Sequence, residues 1–204
     1  MQTQNVFKMW LSAVSLLLAM STMAVAQSKG GGIDAASFRC LSEMTKVGDF
    51  FVYNLNGDID ATVKVARSKT GGKYPPGSIV QLIPREAMVK REAGFSAATK
   101  DWEFFELFVT AESTTIKTRG FAETVNSFGG NCFACHIKAR PEWDLICGKD
   151  HGCDPVSLTP VMIKALQKTD PRCPPVELSA EETAALEARR KDEARRMELN
   201  KRPK

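Results

Sequence analysis

The chain has 204 residues, 25% of them charged, with 28 Lys+Arg against 24 Asp+Glu and a net charge of +4 at pH 7. A balance this mild, with no interleaving of basic and aromatic residues, excludes a nucleic-acid surface. The length suits one domain with a real core plus a tail.

Residues 1–26 read as an export signal. Lys8 gives a positive start, 9–23 is an apolar run without charge, and Ala24-Val25-Ala26 precedes Gln27 as a small-residue cleavage pattern. The run is short for a membrane span. No later segment is apolar enough to cross a bilayer, so the mature chain is expected in the periplasm, not embedded in membrane. Residues 27–175 form the predicted main domain and 176–204 a charged tail.

In chain order, Asp34 is positioned to cap a helix over 34–47, with Ala36, Cys40, Leu41, Met44 and Val47 as its apolar stripe and Gly48 as its stop. Strands are predicted over 50–55, 59–66, 78–83, 102–110 and 115–119, separated by Asn-Gly-Asp, Thr-Gly-Gly and Tyr-Pro-Pro-Gly turns. A short helix is predicted over 121–128. Another starts at Thr159-Pro160 and runs to Lys168, with Thr159 as cap and Pro160 in the first turn. The class is α+β: an antiparallel sheet packed with helices. The tail opens with a capping box, Ser179 and Glu182, and carries opposite charges at i,i+4 (Glu187/Lys191, Asp192/Arg196, Glu198/Arg202). It reads as a solvent-exposed helical extension.

Residues 132–136 are Cys-Phe-Ala-Cys-His. Two thiols three positions apart can add to the two vinyl groups of one haem, and the adjacent histidine can ligate its iron. The pattern therefore predicts one covalent haem c per chain, with Cys132 and Cys135 as thioether attachments and His136 as the iron ligand. A disulfide or a zinc half-site are the other readings of the motif, and no second Cys-x-x-Cys supplies further zinc ligands. Cys40, Cys147, Cys153 and Cys173 remain, and four cysteines allow three connectivities. The Gly-Lys-Asp-His-Gly loop between Cys147 and Cys153 favours that pair, with Cys40 joined to Cys173.

The late position of the motif, behind about a hundred residues of sheet-forming sequence, resembles the cytochrome P-460 family and its relatives, the cytochromes c′-beta. The resemblance rests on Tyr74-Pro75-Pro76-Gly77-Ser78-Ile79-Val80 entering a strand, on Asp101-Trp102-Glu103-Phe104-Phe105-Glu106-Leu107, and on Cys132 to His136. It implies a strongly curved antiparallel sheet packed with helices, usually a homodimer. It also implies a five-coordinate iron with His136 on one side and an open distal face. Members oxidise hydroxylamine or bind nitric oxide, so a small gaseous or nitrogen-oxide ligand and a redox partner protein are implied. The strand beginning at Trp102 would help to wall the pocket.

The hydroxylamine-oxidising members carry a lysine cross-linked to haem in the strand after the Pro-Gly turn. Here that stretch is Gln81-Leu82-Ile83-Pro84, and the nearest lysine, Lys90, reads as a solvated side chain. Glu86 is a candidate proton acceptor, with an exposed role as the simpler reading. Whether the chain is an enzyme is left open. A second strong iron ligand (Met88, Met162 or His151) would instead make a low-spin electron carrier for a respiratory partner. The third reading is a disulfide-rich structural or binding module in which the motif is accidental.

Overall fold

The computed structural model describes residues 32–126, 129–156 and 158–201, with side chains described as far as Arg195. The export signal expected over 1–26 lies outside them. Six strands form one open antiparallel sheet in chain order: β1 (Thr45–Val47), β2 (Phe50–Asn54), β3 (Ser78–Gln81), β4 (Glu86–Lys90), β5 (Trp102–Val109) and β6 (Thr114–Gly120). Among the described residues four α-helices accompany it: α1 (Ile59–Ala66), α2 (Cys132–His136), α3 (Pro160–Lys168) and α4 (Ala180–Lys201). The α+β expectation therefore holds. Among the described residues no helix is long and apolar enough to cross a membrane.

The register divides the sheet's side chains into two faces. One face carries Phe51, Ile79, Ala87, Val89, Phe105 and Leu107, closed over by Ile33, Phe38, Leu41 and Met44. The other carries Val52, Val80, Met88, Trp102 and Phe104. Helix α1 covers it through Ile59, Val63 and Val65, and the motif helix through Cys132 and Phe133. The two faces are called here the closed face and the motif face.

Three predicted elements differ. Residues 59–66 are helix α1, not a strand. Ile59, Ala61, Val63 and Val65 alternate, but Ile59, Thr62, Val63 and Ala66 also share a helical stripe, and tertiary context decides between them. The buried Asn54 tips the balance. Its carbonyl oxygen accepts the Asn56 and Asp58 N–H groups (2.8 and 3.2 Å), and its amide donates to Thr62 Oγ1 (3.0 Å). The chain is thereby turned into the first helical turn.

The predicted helix over 34–47 is two 3-10 turns, Ala35–Ser37 and Leu41–Glu43, followed by β1. Asp34 does cap, accepting the Ser37 N–H at 3.1 Å. Beyond it, Leu41 N–H is drawn to Asp170 (3.0 Å) and Cys40 is bonded to Cys173, which removes the backbone from a helical path. Strand β4 was not among the expected strands. Both ends of Glu-Ala-Met-Val-Lys are charged, yet the segment is central in the sheet and its charges are taken up by partners.

Both favoured disulfides are present, Cys40–Cys173 and Cys147–Cys153. The first ties the segment after α3 to the N-terminal turns across 133 residues of sequence. Arg172 works beside it: it pairs with Asp170 at 2.7 Å and donates to the Phe38 and Pro84 carbonyls. Helix α3 starts as expected, with Thr159 Oγ1 accepting the Met162 N–H at 3.2 Å. The capping box of α4 also forms, through Ser179 N–H to Glu182 (2.8 Å) and Glu182 N–H to Ser179 Oγ (3.2 Å). The first turns of α4 are docked, not solvated all round. Leu186 is buried, and Glu182 accepts a hydrogen bond from Lys168 (2.8 Å) and forms a longer ion pair with Lys164 (3.6 Å) on α3. Of the expected i,i+4 pairs, those using Arg196, Glu198 and Arg202 lie outside the described side chains. Arg189–Glu193 and Arg195–Asp192 pair on the described part.

Candidate functional site

The approach to the motif is a closed turn, where the sequence suggested a helix over 121–128. Residues 121–126 form turns and an isolated bridge, Val125 to Asn131. Asn126 closes it, its N–H bonding the Gly130 carbonyl (2.9 Å) and its side-chain oxygen accepting the Gly130 N–H (2.9 Å). Gly129, at φ +80, takes the left-handed conformation this turn requires. Asn131 then caps α2 by accepting the Ala134 N–H at 2.7 Å.

Within α2, Cys132 is half-buried and Cys135 exposed, and neither is in a disulfide. The other four cysteines are paired. The Cys132 thiol is pushed up to about 12, first by burial and then by the carboxylates of Glu86 and Glu106. A thiol this reluctant to ionise is a poor partner for disulfide exchange, which proceeds through the thiolate.

His136 is half-buried, its ring 5.3 Å from that of Phe104. Nδ1 lies 2.7 Å from the Leu145 carbonyl. A carbonyl only accepts, so Nδ1 carries the proton and Nε2 keeps its lone pair. Burial also lowers the pKa of the ring below the ordinary histidine value, favouring the neutral form. A neutral imidazole with Nδ1–H fixed on a backbone carbonyl is the arrangement a metal-ligating histidine needs.

The Leu145 carbonyl is itself held. Asp144 and Leu145 have φ of +49 and +65, left-handed values that non-glycine residues adopt at a cost. Asp144 is the fixed point. Its carboxylate accepts Lys90 Nζ (2.8 and 3.0 Å) and the Tyr74 N–H (2.9 Å), and its carbonyl accepts Trp102 Nε1–H (2.7 Å). Lys90 also donates to the Lys100 carbonyl at 2.6 Å, so its three donors have partners. The reading of Lys90 as a solvated side chain is corrected: it is 2% exposed, stabilised by this ion pair. Nothing in the sequence flagged Asp144, because the contact spans 54 residues.

A second acidic group adjoins Cys132. Glu86 and Glu106 face each other across β4 and β5, where like charges repel. Glu86 is raised to about 7 by burial first and Glu106 second, against the pull of Arg189, Arg85 and the Asn126 hydrogen bond. It is half-buried, not exposed as the simpler reading had it. Glu106 is 1% exposed; Arg85 approaches one of its oxygens at 3.4 Å, and among the described residues the other has no hydrogen-bond partner.

Of the candidate second iron ligands, Met88 alone lies on the motif face, buried opposite Phe104. His151 is stacked on Trp143 (centroids 3.7 Å), its Nδ1 between the Gly148 N–H and the Ile146 carbonyl. Met162 is on α3, a helix tied by Gln167 to the Asp49 and Leu82 carbonyls. A cleft of about 650 Å³ opens outside the Asp144 anchor, between the Gly71-Gly72 turn, Lys100 and Pro141, away from Cys132, Cys135 and His136.

The donor set fits a covalently attached haem: two unpaired thiols one helical turn apart, a neutral imidazole whose Nε2 has no hydrogen-bond partner among the described residues, and the rings of Phe104 and Phe133 as apolar wall. Among the described residues no group of three or more His, Cys, Asp or Glu side chains is arranged to hold a bare metal ion. Comparison with protein-family models, curated proteins and solved structures finds no significant match to this chain.

Proposed function

We propose that the chain is an exported, periplasmic c-type haem protein of the cytochrome P-460 kind that binds or transforms a small nitrogen oxide, hydroxylamine or nitric oxide. In this reading Cys132 and Cys135 hold one haem by thioether bonds and His136 ligates its iron. When bound, the haem supplies a redox-active iron with a site for the small ligand. The observation that carries the reading is the His136 Nδ1–H bond to the Leu145 carbonyl, beside two cysteines left out of both disulfides.

The chain's own residues have separable tasks. Asn131 and Asn126 fix the entry to α2, Leu145 orients the imidazole, and Phe104 and Phe133 exclude water from one side. Glu86, raised to about 7, takes or returns a proton near neutral pH, the property that oxidation of hydroxylamine asks of a neighbouring group. The lysine cross-link of the hydroxylamine-oxidising members is not assigned to Lys90, whose ammonium is committed to Asp144.

Optical spectra of the reduced, exported protein test this. A pyridine haemochrome spectrum of c type, with a large rapid Soret change on adding carbon monoxide, is expected. Covalent haem without a carbon monoxide response would instead assign a low-spin electron carrier, with Met88 the first ligand to replace.

A further inference from the structure

We propose that the Lys90–Asp144 ion pair is the positioning element for His136: it locks the left-handed Asp144-Leu145 turn so that the Leu145 carbonyl stays on His136 Nδ1. The metal-ligating role of His136 rests on the function proposed above; the positioning itself does not.

Two consecutive non-glycine residues at positive φ do not hold that shape unaided. The turn's own bond, Ile146 N–H to the Trp143 carbonyl (2.8 Å), closes it locally, and the side-chain ties that anchor it come from the sheet and the segment before β3. Lys90 reaches from the end of β4, Trp102 from the start of β5 and Tyr74 N–H from the segment before β3. Lys90 and Trp102 are themselves cross-strand partners, so the two donors arrive as one rigid unit. The side chains of the pair are 1% and 6% exposed, which keeps water from substituting for either partner. One residue beyond Asp144, the Leu145 carbonyl accepts from His136. A bond of this kind strengthens the donor character of Nε2, and its geometry depends on the carbonyl being held still. The lysine that could have been read as a cross-linking nucleophile thus acts at a distance, through a backbone carbonyl.

The test uses the full exported chain with Lys90→Met, Asp144→Asn and the double variant, which removes both charges together and keeps the site foldable if a single change does not. Glu103→Gln, on the closed face, controls for loss of a buried ion pair unconnected to His136. Mass spectrometry first establishes covalent haem in the wild type. In haem-loaded protein, resonance Raman is expected to show the iron–histidine stretching band shifted down in the pair variants, with a rise in midpoint potential. Both should be unmoved in Glu103→Gln. An unshifted band in folded, haem-loaded pair variants overturns the positioning role and leaves the proposed function standing. If the wild type carries no haem, the proposed function falls. Ring-nitrogen NMR of His136 then decides positioning: a single Nδ1–H tautomer in the wild type and a mixture in the pair variants supports it, and an unchanged tautomer overturns it.

Discussion

Both faces of the sheet are packed with aliphatic and aromatic side chains, yet they treat charge in opposite ways. On the closed face, Glu103 meets two arginines that stay partly in solvent: Arg119 at 2.7 Å, 38% exposed, and Arg91, 18% exposed. On the motif face, Lys90 and Asp144 are both withdrawn from water, and Glu86 faces Glu106 next to Cys132. A charge that can rehydrate when its partner is lost is a modest structural device. A fully buried pair, or two opposed carboxylates, costs desolvation energy that packing alone would avoid. Their concentration on the face that carries the Cys-x-x-Cys-His helix agrees with the function proposed for that face.

The comparison can be broken most directly by truncation. Asp144→Ala leaves the Lys90 ammonium buried without a counter-charge and is expected to cost ~3–5 kcal/mol in urea unfolding. Glu103→Ala should cost only about 1–2 kcal/mol, because its arginines turn to solvent. Equal losses would erase the distinction between the faces. Next in size, Cys40→Ala with Cys173→Ala is expected to cost ~2–5 kcal/mol, since that bond closes a loop of 133 residues. Haem attachment at α2 should survive it, because neither cysteine belongs to the motif face.

The pH dependence sharpens the contrast further. Glu86 is raised to about 7 in the fold, so its contribution is present below the ordinary glutamate pKa and is lost as pH rises through about 7. Stability should therefore decline between about pH 4.5 and 7, by at most ~3 kcal/mol. Glu86→Gln should flatten that slope, and a slope unchanged by the substitution would remove Glu86 as its source. The smallest effect is expected far from the motif. Glu182 is drawn down to about 2 by the Lys168 hydrogen bond first and the Ser179 N–H second. Its contribution is present above the ordinary glutamate pKa and disappears as pH falls toward 2. Helix α4 should fray in that window, and Glu182→Gln should fray it already at neutral pH, as circular dichroism can follow.

What was legible in the sequence was local. Strands β2, β3, β5 and β6, the start of α3, the capping box of α4 and the motif helix all declare themselves within a few residues, through alternation, caps or spacing. The disulfides followed from loop length and elimination. What was hidden depends on distant partners. Residues 59–66 satisfy both periodicities, and only the Asn54 hydrogen bonds favour the helix. Strand β4 looks too charged at its ends for a central strand until Asp144, 54 residues after Lys90, and Asn126, 40 residues after Glu86, are brought to it. The same two charges were misread as solvated for the same reason. In the candidate site, the donor atoms were therefore visible in the sequence, while the groups that hold and tune them were not.

The most direct measurement of the account is intact and peptide mass spectrometry of the exported protein, with its absorption spectrum taken on the same sample. A single porphyrin increment confined to the peptide containing Cys132 and Cys135, with Cys40–Cys173 and Cys147–Cys153 oxidised, is the expected result. Finding Cys132 and Cys135 unmodified, or joined to each other, would contradict it.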